Sequence, residues 1–313
     1  MSSTTRRPTA VAPSGKQFEL HHGDQRAVVV EVGGALRSYA VEGQELLDGY
    51  SAQERCTSAR GQSLIPWPNR LRDGRYRFEG EEHQLPLTEP AKQNAIHGLV
   101  RWASWSAASW VEDRVSMQHL LYPQSGWPFS LALEIEYSLA GDGLTVRSSA
   151  CNLSTGACPY GAGAHPYLTL GTDRIDPLRL QAPGRRYLTS DERGIPTGSE
   201  PVEGTRFDFL KARVLGDNQL DTGYGDLRRD EDGRARVRVT TPDGRRRSTL
   251  WLDENYRYLM LFTGDSLPEP ARRRRGLGIE PMTCAPNALQ SGEGLQILAP
   301  GEWFSSSWGI APG

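Results

Sequence analysis

The sequence predicts an all-β fold, a large antiparallel β-sandwich. Three observations carry that reading. Short runs rich in β-branched and aromatic residues recur along the chain. No window of 15 residues holds a sustained helical period with caps, and 34 glycines and 21 prolines punctuate the whole length.

The elements follow in order. Ala27–Val32 (AVVVEV) is a first strand, and Gly33-Gly34 and Glu42-Gly43 punctuate the meander around it. Arg75–Phe78 is a strand that turns at Glu79-Gly80 and returns toward Leu85. Leu131–Leu139 (LALEIEYSL) and Leu144–Ala150 are joined by Gly141-Asp142-Gly143, and Ala235–Thr241 and Ser248–Leu252 by Pro242-Asp243-Gly244. Both joints have hairpin chemistry, because Gly and Asp tolerate the positive φ of tight turns. Leu259–Phe262 is a further strand. No linker and no internal repeat divides the chain, so residues 16–313 read as a single domain; an interleaved two-domain β protein is the lesser alternative. Residues 1–15, rich in Ser, Thr and Pro, read as a disordered tail. Arg6-Arg7 is followed by no apolar segment, which argues against a twin-arginine export signal.

Composition excludes several classes. The formal net charge is −2, so nothing draws the whole protein to nucleic acid or to a membrane surface. No apolar run approaches the ~20 residues that span a bilayer. The four cysteines form no CxxC pair and read as reduced thiols in a cytoplasm.

The chemistry concentrates in dispersed segments. Pro66–Trp102 wraps a hairpin in a polar cluster that includes Asn69, Arg70, Asn94 and His97. Buried polar groups without partners are costly, so this set suits a polar small-molecule site better than a core. His165 lies in GAGAHPYLTLG, where small residues permit close approach and Pro166 aims the chain; the alternative is a core histidine bonded to a carbonyl. Glu280, in LGIEPMTCAPNAL, is an apolar-run carboxylate whose burial raises its pKa toward that of a general base; the alternative is a strand-end Glu facing solvent. Asp221, in NQLDTGYGDL, is similar, with a plain turn as its alternative. Arg272–Arg275 reads first as a solvated loop and second as an anion contact. Metal motifs (HxH, HExxH), GxSxG and GxGxxG are absent.

Taken together, PWPNRLRDGRY, LPLTEP, NAIHGLVRW, GAGAHPYL, LDTGYGDL and GIEPMTCAPNAL resemble, in order, the motifs of the aldose 1-epimerase (galactose mutarotase) family, and look closest to the bacterial subgroup near sulfoquinovose mutarotase. The resemblance covers nearly everything from residue 16 onward. It implies a galactose mutarotase-like supersandwich, a cofactor-free and metal-free reaction on a monosaccharide, and a monomer or homodimer. It implies Glu280 as catalytic base, His165 as catalytic acid, and Arg70, His97 and Asp221 as sugar-binding residues. An aromatic such as Trp67 or Tyr167 would pack on a sugar face or in the core. Leu99, and Pro281-Met282 after Glu280, depart from the pattern of many galactose mutarotases and leave the sugar open. The rival readings are an epimerase of an anionic sugar, with Arg272–Arg275 or another arginine on the anion, and a non-catalytic sugar-binding module.

Overall fold

The computed structural model describes residues 10–313, so residues 1–9 of the expected tail lie outside the described residues. Packing begins just before position 16: Ser14 is buried, and its carbonyl accepts from the Val32 N–H at 3.0 Å.

Two large antiparallel sheets dominate. One has nine strands, in the order Ser106–Val111, Arg114–Leu121, Leu131–Ala140, Gly143–Asn152, Trp303–Pro312, Arg247–Leu252, Ala235–Thr240, Arg179–Gln181, Arg213–Val214. Its centre shows the alternation that a sheet packed on one face requires: Leu131, Leu133, Ile135, Tyr137 and Leu139 are buried and the residues between them are less so. The other has eight, in the order Pro196–Pro201, Gly184–Ser190, Asp221–Leu227, Tyr258–Phe262, Leu277–Met282, Gly163–Ala164, Ser63–Leu64, with Tyr167–Leu168 also on Leu277–Met282. Buried apolar residues of both sheets belong to one contiguous cluster. A four-stranded meander, Gln17–His22 to Gln44–Glu45, precedes them. Helix is confined, among the described residues, to Ala288–Ser291 and two 3-10 turns.

The predicted hairpins form as read. Ala140 pairs with Gly143, Thr240 with Arg247, and Phe78 with Glu81. Two segments differ from expectation. Asp221 opens a strand, not a turn. Pro281 does not end the run around Glu280 but lies inside the strand Leu277–Met282, every residue of which is buried. Ile279 donates its N–H to Pro166 O at 3.1 Å, and the nitrogen of position 281, two residues on, faces the same side. A proline there removes no donor from the ladder to Tyr258–Phe262, so the strand continues.

Gly98, next to His97, has φ +69°, and a Cβ there would sit 2.0 Å from Ile65 O. Gly98→Ala is expected to lower stability by about 2–4 kcal/mol, through backbone strain and displacement of the Ile65 strand end. Urea unfolding measures it; a change below about 0.5 kcal/mol would contradict this packing.

Candidate active site

The register of one strand sets the site. Gly163 pairs with Met282, and Tyr167 pairs with Gly278. Position 165, midway between, therefore stands opposite position 280. The interval cannot close as a regular ladder because Pro166 lacks an N–H, and the His165 ring turns onto the Glu280 carboxylate. His165 Nε2 lies 3.3 Å from Glu280 Oε1, with both side chains almost fully buried. On the other side of Leu277–Met282, Met260 pairs with Glu280, and Phe262 pairs with Asp221 one strand further out. That brings Asp221 toward the same pocket.

Arg70 and His97 arrive from a separate two-stranded piece, in which Arg70 pairs with Ile96. Arg70 is buried and grips Glu89 with two bonds, Nε to Oε2 at 2.9 Å and Nη2 to Oε1 at 3.1 Å, and reaches Asp221 Oδ2 at 3.5 Å. The fork geometry of guanidinium on carboxylate fixes its direction. Asn69 and His97 both adopt left-handed backbone, φ 56° and 63°, and bond reciprocally. His97 N–H donates to Asn69 O at 3.0 Å, and Asn69 N–H donates to His97 Nδ1 at 3.2 Å. The second bond makes Nδ1 an acceptor, so a neutral His97 carries its proton on Nε2 and is a donor there.

All five residues singled out in the sequence (Glu280, His165, Arg70, His97 and Asp221) line one cavity of about 400 Å³, within the size range of small-molecule sites. Glu280 Oε2 and His165 Nδ1 are buried there without a protein hydrogen-bond partner among the described residues. Tyr167 stacks on His165, centroids 4.8 Å apart at 15°, and lines the same cavity. Trp67 does not line it: the ring is buried 6.3 Å from that of Trp127, in the core.

A profile of the family described as Aldose 1-epimerase matches residues 16–310. The chain belongs to the aldose 1-epimerase family. It is 33% identical over 290 residues to the Escherichia coli K12 protein named Uncharacterized protein YihR, covering 92% of this chain and 91% of that one. The Rattus norvegicus galactose mutarotase is 32% identical over 159 residues, 47% of this chain and 44% of its own. A putative aldose 1-epimerase of Escherichia coli K12 superposes with a TM-score of 0.83 at 22% identity, covering 95% of this chain and 99% of its own, a likeness of fold.

This member of the family hides its titratable groups from water. Burial, reinforced by Asp221 and opposed by Arg70, holds the Glu280 carboxyl well above its ordinary value. Burial, with Arg101 and Arg60, pushes His165 down to about 3. Burial and the neighbouring His165, Arg101 and Arg70 hold His97 well below the usual imidazole value.

Sequence reasoning passed over Arg101, Lys92, Glu89 and Phe262, which also line the cavity. Arg101 stands four residues after His97 in the same NAIHGLVRW segment, and only the fold turns it inward. The Arg272–Arg275 run does not reach this cavity. Arg272 pairs with Asp48 at 3.0 Å, and Arg274 is buried against Asp265 at 2.9 Å and Asp176 at 3.2 Å. Arg272, Arg273 and Arg275 border a separate polar cavity of about 1000 Å³. Spacing along the chain also hid a trio: His97, His165 and Glu280 present ligand-type atoms within 4.8 Å of one another. Two guanidinium groups, Arg70 and Arg101, line the same cavity and oppose a divalent cation there.

The shifts fix the pH behaviour. The raised Glu280 keeps a proton that the unfolded chain has lost, so the stability it contributes is present below about pH 4.3 and lost as pH rises toward its folded value. A lowered histidine does the reverse, costing stability as pH falls below about 6.5. Between these values the raised Glu280 and the lowered His165 act with opposite sign and offset one another, whereas the lowered His97 adds a slope of up to about 1.4 kcal/mol per pH unit. His97→Asn is expected to flatten the acid-side stability curve by up to that slope, measured by urea unfolding at pH 6.5 and 5.0. Glu280→Gln is expected to raise the urea midpoint at pH 8; a lowered midpoint would contradict the desolvation of Glu280.

Proposed function

We propose that this chain is an aldose 1-epimerase that interconverts the α and β anomers of an aldohexose by general acid–base ring opening and closure. The observation that carries this is a buried carboxylate 3.3 Å from a buried imidazole, in a cavity that also presents Arg70, His97 and Asp221. Anomeric O1 and ring O5 share one carbon, so an acid and a base that serve them must stand side by side.

In this reading Glu280 takes the proton from O1 while His165 gives one to O5. The C1–O5 bond breaks and C1 becomes an aldehyde. Rotation about C1–C2 presents the other face, and the two proton transfers run in reverse as the ring closes. The pair carries one proton throughout. With the ring closed it sits on His165, opposite ionised Glu280. With the ring open it sits on Glu280, and both side chains are neutral. Burial favours the neutral arrangement, while the Arg70 charge supports the ionised carboxylate. Each transfer contributes on the order of 10²–10⁴ in rate. Arg70 and His97 Nε2–H donate to sugar oxygens and Asp221 accepts from hydroxyls, holding the ring in place. The four cysteines are free and buried, in keeping with a cytoplasmic protein.

One observation favours a charged sugar within this reading. Arg101 lines the cavity, is largely buried, and makes no ion pair with any carboxylate among the described residues. Burial depresses its pKa, and its Nε has no partner. A buried cation without a counter-charge is costly, and an anionic substituent on the sugar would supply that charge. Lys92 lines the same cavity.

NMR exchange on anomerically pure sugars tests both levels. Glu280→Gln and His165→Asn are expected to lose about 10²–10⁴-fold in rate while folded. Saturable sugar binding without any acceleration by the native protein would return the chain to the sugar-binding reading. Arg101→Met is expected to lower kcat/KM for a phosphorylated or sulfonated aldohexose by about 10–10²-fold and to leave the neutral sugar within about threefold. Equal loss on both sugars would remove the anion role. Activity is expected to survive exhaustive EDTA dialysis; loss restored by a divalent cation would make the His97–His165–Glu280 trio a metal site.

A further inference from the structure

Behind the catalytic cavity lies a buried ion pair that the acid–base reading does not use. Arg60 is 2% exposed, and its Nε donates to Asp48 Oδ2 at 3.3 Å. Its Nη1 bonds Thr57 O at 3.2 Å and Thr57 Oγ1 at 3.3 Å, while Nη2 has no partner among the described residues. Asp48 is itself buried and takes two further cations from the other side, Arg272 at 3.0 Å and Arg275 at 3.8 Å. Neither Asp48 nor Arg60 lines the catalytic cavity; Asp48 lines the separate polar cavity together with Arg272 and Arg275.

A buried ion pair contributes little net stability against a well-packed apolar replacement, so its location asks for another reason. The guanidinium lies over the Tyr167 ring, 4.7 Å from the centroid, and the other side of that contact is the stack of Tyr167 on His165 at 4.8 Å. Tyr167 is pinned at both ends. Its hydroxyl donates to Ser58 O at 3.0 Å, two residues before Arg60, and its carbonyl accepts from the Asp48 N–H at 2.9 Å. The backbone agrees: Gly61 N–H donates to His165 O at 3.0 Å and His165 N–H donates to Gln62 O at 3.1 Å. Asp48, Arg60, Tyr167 and His165 form one chain of contacts from the second cavity to the imidazole.

We propose that Arg60 and Asp48 are positioning residues for His165: Arg60 seats Tyr167 against the imidazole, and Asp48 balances the charge that Arg60 brings beside the proton-transfer pair. The proposal rests on Glu280 and His165 being that pair. Cation–π contact holds a planar guanidinium on the ring, and the ring holds the imidazole face. Around His165 the other charged or titratable groups are Glu280, His97, Arg101 and Tyr167, with Arg70 and Asp221 behind Glu280. Arg60 is one of the two arginines that depress His165. Removing Asp48 would leave Arg60 less compensated, and removing Arg60 would take away one of the two cations that depress His165. The two changes therefore have opposite signs at His165.

The test is the pH dependence of kcat and KM for mutarotation, with NMR titration of His165 in the sugar-free protein as a readout independent of turnover. Asp48→Asn is expected to move both limbs of the kcat profile, and the His165 titration, to lower pH. Arg60→Met is expected to move them to higher pH. Each shift should be roughly half to one pH unit, as for one charge about 10 Å away through an effective dielectric of about 20–40. KM should stay within about twofold, because neither side chain reaches the sugar. Arg60→Lys keeps the charge and loses the planar fork, so it should leave the profile in place and lower kcat by about tenfold. If Arg60→Met does not fold, Arg272→Gln takes its place: it removes a partly buried cation from Asp48 and should give a smaller shift to higher pH. Loss of rate in Asp48→Asn and Arg60→Met with unmoved profiles, or shifts of one sign, would overturn the proposal. Full activity in Glu280→Gln or His165→Asn would overturn the acid–base reading instead, and the His165 titration would still report on Asp48 and Arg60.

Discussion

The contact of Glu280 with His165, 3.3 Å apart and shielded from water, constrains the rest of the structure. Burial disfavours the charged form of each group, so neither position is tolerable as isolated charge in a loose loop. The fold answers with a strand that is buried along its whole length, Leu277–Met282, and with short pairings on both sides of His165 that fix which residue it meets. A slip of one residue would turn Glu280 to the opposite face and bring Ile279 or Pro281 to the acid. Rigidity here follows from sheet register rather than from any special feature of the two side chains.

Around that pair, cations and carboxylates are arranged so that almost every buried charge has a counterpart. Arg70 is satisfied by Glu89 and Asp221, and Arg60 by Asp48. Such pairing leaves most of the buried charge around Glu280 and His165 compensated. Arg101 is an exception, a largely buried cation of the cavity wall with no carboxylate on it among the described residues. In a site otherwise balanced, that imbalance is the feature that points toward the ligand.

The hairpins were legible because turn chemistry is local. Gly141-Asp142 and Asp243-Gly244 specify their bends whatever surrounds them. The five candidate residues could be picked out because their segments resemble those of a known family in order; local composition alone left a bland alternative open for His165, Glu280 and Asp221. What local sequence could not carry was pairing. Nothing near Pro281 shows that its missing N–H faces a side where the ladder to the neighbouring strand loses nothing. Nothing near Asp48, Arg60 or Arg101 shows that they converge near residue 165, since each stands more than 60 positions from it in the chain. The partners of the Arg272–Arg275 run were hidden for the same reason: density of charge in sequence is visible, but two of the carboxylates that neutralise it, Asp48 and Asp176, are distant in the chain.

Under the proposed acid–base reading, recognition and chemistry are separable in this cavity. Ring opening involves only O1, C1 and O5, which every aldohexose presents alike, so the acid and the base cannot distinguish one sugar from another. Discrimination has to come from wall residues that meet the remaining substituents, among them Lys92, Arg101, Phe262 and Leu267. These lie on loops or at strand ends, where substitution leaves the register of Leu277–Met282 untouched. Leu99 and Pro281-Met282 obey the same rule: Leu99 packs against the core and Met282 is fully buried, so their departure from the common family pattern adjusts the frame and not the proton path. In that reading, a wall built on loops and strand ends surrounds a pair fixed by sheet register, so the choice between neutral and anionic sugars and the two proton transfers rest on different residues.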